Sequence, residues 1–214
     1  MIRTIKTVTT KENNNVSLLE TENKQYDKSI LIIGVFHGEE PQGKYLIEEY
    51  LKTDLSKIKN KLYFIPCLNP DGMSKNQRQN ANGIDLNRNF PTKNWCVTKK
   101  KEYFGGTNPA SEIETKFMIE VLENYKFDAI LSIHAPFKIV NYDGPAKNIA
   151  EKISEITKYP VQSDIGYPTP GSFGNYAGVE KEIPVVTLEL PENQSNEELW
   201  ETNKGVFEYL ACKY

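Results

Sequence analysis

Five strand-length apolar runs, rich in β-branched residues, recur along the 214-residue chain and limit its fold more than any other feature. They are Ser29–Val35 (SILIIGV), Lys61–Cys67 (KLYFIPC), Phe127–Ile133 (FDAILSI), Phe137–Tyr142 (FKIVNY) and Pro184–Leu190 (PVVTLEL). Near-continuous hydrophobicity, rather than strict alternation, marks strands covered on both faces. The stretches Ile5–Thr9 and Val16–Glu20 alternate more and read as edge strands. Helical patterns fall between the runs. Gln42–Lys52 spaces Tyr45, Leu46, Glu49 and Tyr50 helically, and Ser111-x-x-Glu114 reads as a capping box before Phe117, Met118 and Val121. Ala146–Tyr159 carries Ile149, Ile153 and Ile156, and Ser195-x-x-Glu198 opens a last amphipathic helix. Alternating strands and helices predict an α/β fold of three layers, α/β/α, with helices on both faces of one largely parallel or mixed sheet. With no repeat or linker, and a length near the ~150 residues of one domain, residues 1–214 are expected to form a single domain.

Composition narrows the function classes. Lys and Arg number 26 against 29 Asp and Glu, a formal charge of −3, which argues against a nucleic-acid binder. The run Lys99-Lys100-Lys101 is short and reads as a solvated turn. Cys67, Cys96 and Cys212 are odd in number and contain no CxxC pair, so neither a disulfide framework nor a cysteine zinc site is expected. The opening Met1-Ile2-Arg3-Thr4-Ile5-Lys6 lacks an apolar signal core. No run approaches the ~18 apolar residues of a membrane span. The expectation is a cytoplasmic protein with neither membrane nor nucleic-acid partners.

The chain holds two histidines, His37 and His134, and each follows a buried strand directly. Ligands of open α/β sheets bind beyond the carboxyl ends of strands, so both imidazoles point to the same kind of crevice. Glu40, three residues after His37, is close enough to share a metal with it. Two His and one Glu make a catalytic zinc set that leaves a fourth position for water; for a lone histidine an unremarkable packing role would be the better reading. Asn69–Lys101, rich in Asn, Gly, Pro and Lys, is too long a loop to be idle in a compact domain. Its Arg78 and Arg88 can clamp carboxylates through bidentate hydrogen bonds, or pair with surface acids in a solvated loop. Glu189 lies inside an apolar strand, where a carboxylate is rare unless paired or functional; facing an activated water it is a general-base candidate.

His37-x-x-Glu40, Asn69-Pro70-Asp71-Gly72, Arg78, Asp85-x-Asn87-Arg88-Asn89, Ser132-Ile133-His134 and Glu189-Leu190 resemble, in order and spacing, the zinc metallocarboxypeptidases. The likeness runs from about Leu31 to Pro191. The segment Asp164–Gly174 (DIGYPTPGSFG), with Glu189-Leu190-Pro191, is similar to the branch of that family that cleaves murein peptides. The resemblance implies a large mixed twisted sheet and one Zn²⁺ per chain held by His37, Glu40 and His134. It also implies a cis peptide after the third ligand, at Ala135–Pro136. Asp85 is then the acceptor that orients the His37 ring, Arg78 stabilises the oxyanion, Asn87 and Arg88 grip the substrate's terminal carboxylate, and Glu189 is the base.

Two departures stand out. Digestive members of the family carry an arginine where this chain has Glu39, and a carboxylate there favours a substrate ammonium. Their mobile tyrosine has Tyr167 as its nearest counterpart, one residue out of register, as a substrate-binding candidate. The expected substrate is a small peptide with a free C-terminal carboxylate, murein tripeptide, cut between γ-D-glutamate and meso-diaminopimelate in cell-wall recycling. The alternatives are a carboxypeptidase of the same mechanism with another C-terminal residue, including one that trims cell-wall peptides, and a binding module that has lost catalysis. Lys93–Gly106 is expected only to rim the cleft.

Overall fold

The computed structural model describes residues 2–214; Met1, part of the opening stretch considered above, lies outside the described residues. Eight strands form one mixed sheet. In chain order they are β1 (Ile2–Thr9), β2 (Asn15–Thr21), β3 (Ser29–Ile33), β4 (Lys61–Ile65), β5 (Ala129–His134), β6 (Phe137–Asp143), β7 (Val161–Gln162) and β8 (Val185–Pro191). Across the sheet the order is β1-β2-β4-β3-β5-β8-β6-β7. The four central strands, β4, β3, β5 and β8, run parallel, whereas β2 and β6 flank them antiparallel. Among the described residues there are five α-helices: α1 (Gln42–Leu51), the short α2 (Pro70–Ser74), α3 (Ile113–Asn124), α4 (Lys147–Thr157) and α5 (Asn196–Cys212).

Side chains of a strand alternate between faces, and β3 shows why its whole run is apolar. Ile30 and Ile32 enter a core closed by Leu46 and Ile47 of α1, Ile149 and Ile153 of α4, and Val206, Phe207 and Leu210 of α5. Leu31 and Ile33 enter the opposite core with Phe117, Met118 and Val121 of α3 and the loop aromatics Phe36, Phe90 and Phe173. Two cores on two faces give the three-layer architecture that the apolar runs predict. Among the described residues, no helix is long and apolar enough to cross a membrane.

Several local expectations need correction. Val16–Glu20 falls in β2, which is not an edge: it pairs with β1 on one side and β4 on the other. Its alternation reflects a strand whose Val16 and Leu18 are fully buried in the α3-side core, whereas Leu19 is only partly buried against the other. The Ser111–Glu114 capping box does not form. α3 starts at Ile113 with no side-chain cap, because Ser111 Oγ donates to Glu112 Oε1 (2.7 Å) and accepts from Asn89 Nδ2 (3.0 Å). The box at α5 does form, with Glu198 N–H donating to Ser195 Oγ and Ser195 N–H donating to Glu198 Oε2. Within the long polar loop, Asn69 caps α2 by accepting from Gly72 N–H at 2.9 Å, with Pro70 in the first turn.

Candidate metal centre

The carboxyl ends of β3, β5 and β8 lie side by side, and the candidate residues collect there. Beyond β3 the chain turns sharply: Val35 has φ +55°, a left-handed conformation that a β-branched residue rarely adopts. It is held there by burial and by the Asn69 N–H, which donates to its carbonyl at 3.0 Å. The next turn presses against the start of α2. A Cβ on Gly38 would stand 2.1 Å from the carbonyl carbon of Gly72, so only glycine permits this approach. His37 and Glu40 flank that contact, and the Glu40 N–H donates to the His37 carbonyl at 3.1 Å. His134 ends β5, with its ring stacked on the buried Phe36 at 5.3 Å between centroids.

His37 Nδ1 lies 2.9 Å from Glu40 Oε1, and His134 Nδ1 lies 3.0 Å from Glu40 Oε2. All three residues are buried, and one donor atom from each falls within 4.8 Å of the others. The other nitrogen of His37, Nε2, stands 3.2 Å from Asp85 Oδ1. Burial works to lower the His37 pKa, but the charges of Glu40 and Asp85 outweigh it and push the ring up to about 9. Burial would raise Glu40 and Asp85; the His37 ring beside them holds both carboxyls well below their ordinary range. Two imidazole nitrogens converging on one buried carboxylate make a donor set suited to a divalent cation. With Nε2–H donating to Asp85, the Nδ1 lone pair is left for a metal, the usual arrangement of a ligating histidine. The residues present fit zinc.

The loop from Arg78 to Phe90 supplies the rest. Asp85, fully buried, caps the short 3₁₀ turn Leu86–Arg88 by accepting from Asn87 N–H at 2.9 Å. Its second oxygen accepts from Arg78 Nε at 3.0 Å. Arg78 Nη1 then stands 3.9 Å from both Glu39 Oε1 and Glu40 Oε1. Asn87 Oδ1 accepts from Phe173 N–H at 2.9 Å, which leaves the amide NH₂ as its remaining donor. Arg88 is 5 % exposed, and its Nη1 donates to the Asn87 carbonyl at 2.7 Å. Glu189 pairs with His134 in the β5–β8 register. It is buried, its Oε2 has no hydrogen-bond partner among the described residues, and burial raises its pKa, opposed by the neighbouring His134.

A cavity of about 220 Å³ is lined by every candidate except Asp85, which lies beneath it: His37, Glu39, Glu40, Arg78, Asn87, Arg88, His134, Tyr167 and Glu189 all reach it. The Ala135–Pro136 peptide beside it is cis. Tyr103 was not anticipated. It belongs to the segment expected only to rim the cleft, yet its ring lies 5.2 Å from the Arg78 guanidinium, 5.5 Å from that of Arg88 and 6.3 Å from the Tyr167 ring. Phe137, which opens an apolar run, also lines the cavity, as do Ile165 and Thr169 from the segment similar to the murein-peptide branch. Between Glu102 and Phe104, Tyr103 carries no sequence signal of its own.

Residues 1–148 match the family described as zinc carboxypeptidase. The chain belongs to that family and is a hydrolase. Among curated relatives, it is similar to murein peptide amidase A of Escherichia coli (strain K12), 29% identical over 182 residues covering 79% of this chain and 74% of that protein. It is likewise similar to murein peptide amidase A of Vibrio campbellii, 30% identical over 182 residues, 75% of this chain and 68% of the relative. The crystal structure of the murein-tripeptide amidase of Escherichia coli O157 superposes with a TM-score of 0.82 at 24% identity, over 96% of this chain and 90% of that one, a likeness of fold.

Proposed function

We propose that this metallopeptidase is a zinc-dependent amidase that hydrolyses the γ-D-glutamyl–meso-diaminopimelate bond of murein tripeptide. The observation that carries the reading is the convergence of His37, Glu40 and His134 beside a buried carboxylate, Glu189, whose Oε2 lacks a partner. The names of the relatives, murein peptide amidases, support the choice of substrate.

One zinc ion, held by His37 Nδ1, Glu40 and His134 Nδ1, would polarise the scissile carbonyl and make water a competent nucleophile near neutral pH. Glu189 Oε2 takes the proton of the attacking water and passes it to the leaving nitrogen. Burial moves the Glu189 carboxyl upward from its ordinary value, the direction that helps one group both accept and return a proton. Arg78, aimed by Asp85, meets the negative charge that develops on the carbonyl oxygen; its orientation precedes the reaction and costs no rearrangement during it. Arg88, with the free amide NH₂ of Asn87, holds the carboxylate beside the scissile nitrogen in the planar geometry of a guanidinium. Tyr167 lines the same cavity as Arg88 as a substrate-binding wall, and Glu39 offers its half-exposed carboxylate to a substrate ammonium.

Mass spectrometry of digests of defined cell-wall peptides tests the proposal. Tripeptide should yield free diaminopimelate and the alanyl-glutamate dipeptide. Release of only the residue after diaminopimelate from tetrapeptide would make the protein a carboxypeptidase of the same mechanism. A purified protein that retains no metal and cuts neither peptide would be a binding module.

A further inference from the structure

A second cavity, of about 620 Å³, adjoins the first and shares Arg88, Tyr103 and Tyr167 with it. The metal cluster, Arg78 and Glu189 do not border it. It therefore extends the groove on the Arg88 side, away from the position of the scissile bond. Its charged lining is Arg88, Lys99 and Lys100, with no carboxylate among the described residues. Neither lysine ammonium is ion-paired among the described residues. At the other end, a cavity of about 460 Å³ beside Arg78 is lined by Glu39 and Glu102, with Tyr103 again as a wall. Charge is thus segregated along the groove, negative past Arg78 and positive past Arg88. Val97 and Tyr167, both exposed large apolar side chains, also border the positive end.

With a substrate's terminal carboxylate on Arg88, the group that extends further in this direction is the side chain of the residue to be released. We infer that Lys99 and Lys100, beside the apolar wall of Val97 and Tyr167, form a subsite for a second carboxylate at the end of that side chain. The inference takes from the proposed function only the direction in which the substrate lies. Ammonium groups on flexible stems suit an anion whose position varies from one bound conformer to the next. Like-signed charges lining a cavity also raise the local concentration of such an anion.

Calorimetry on the zinc-loaded protein with meso-diaminopimelate and with lysine tests this, because the two differ by one distal carboxylate. Diaminopimelate should bind about tenfold more tightly at low salt, the scale of two ion pairs at a solvated rim, and the ratio should shrink as salt is added. In Lys99→Ala/Lys100→Ala the ratio should fall to about one, and in Lys99→Glu/Lys100→Glu it should invert. A general structural disturbance would weaken both ligands alike and leave the ratio intact. Equal binding, no measurable binding, or a preference that survives loss of both lysines overturns the subsite. Tripeptide cleavage with no such preference leaves the amidase reading standing without the subsite. The preference without cleavage leaves the subsite standing without the amidase reading.

Discussion

Asp85 is the residue on which most of the site's geometry depends, because one buried carboxylate faces His37 Nε2, Arg78 Nε and the Asn87 N–H at once. Asp85→Asn keeps the size but removes the charge, and its amide nitrogen would meet donors on both sides. Metal affinity should fall roughly 10–100-fold, read by titration against a chromophoric chelator; an unchanged affinity would leave Asp85 a loop-capping residue only. Glu189 is tested differently. Glu189→Gln preserves shape and leaves the three proposed ligands in place, so metal content should hold while kcat falls by roughly 10²–10⁴. A Gln variant with zinc bound and near-normal turnover would make Glu189 a buried structural acid. These roles were unequally legible in the sequence. His37 and His134 stand out because each follows an apolar run, and Glu189 because it interrupts one. Asp85 and Asn87 carry no such signature, since their partners are distant in the chain, and only the family likeness singles them out. Tyr103 could not be read at all: its position over two guanidiniums arises when a polar loop folds back on another polar loop.

At the level of elements, strands buried on both faces were the most readable, since a run such as Ser29–Val35 is explained by two separate cores. What eluded the sequence was decided by competition between neighbours. Ser111 is a sound cap for α3 in isolation, but Asn89 and Glu112 engage its hydroxyl first. β7 has two residues, and the π-helical turn Gly174–Glu180 wraps around Asp143, so neither leaves a periodic pattern. The start of α3 also holds a buried acid with a measurable consequence. Glu114 is 2 % exposed, and burial pushes its pKa from 4.5 up to about 7, opposed by the Asn80 amide and reinforced by the charges of Glu112 and Asp71. The folded state therefore holds this proton more tightly than the unfolded chain. Its contribution to stability is greatest below about pH 4.5, declines as pH rises to about 7, and is constant above that. Glu114→Gln should then stabilise the protein at pH 8 by on the order of 2 kcal/mol and change little near pH 4.5. Urea titrations at the two pH values check this; an equal effect at both would assign it to packing.

Across the whole molecule, the parallel centre of the sheet brings together residues almost a hundred positions apart, and the cluster joins the turn after β3 to the end of β5. His37, Glu40, Asp85 and Glu189 are all buried, so three carboxyl groups and an imidazole share a small volume. A cation bound there acts only on the folded chain, because the unfolded chain does not hold its ligands in place. Its effect on stability follows from mass action: at a free concentration one hundred times the dissociation constant, binding adds about 2.7 kcal/mol. For a chain of this size each kcal/mol shifts the melting temperature by about 2–4 °C. Stripping the protein with a chelator should therefore lower Tm by about 5–10 °C relative to zinc-loaded protein under that condition. Restoring zinc should restore the melting temperature together with activity. His134→Ala, which removes one of the two imidazoles, should melt at nearly the same temperature with and without added zinc. A wild-type Tm indifferent to both chelator and zinc would mean that the cluster is held by its own hydrogen bonds, with His37 as an imidazolium between Glu40 and Asp85. A response to another divalent cation but not to zinc would keep the site and change the metal.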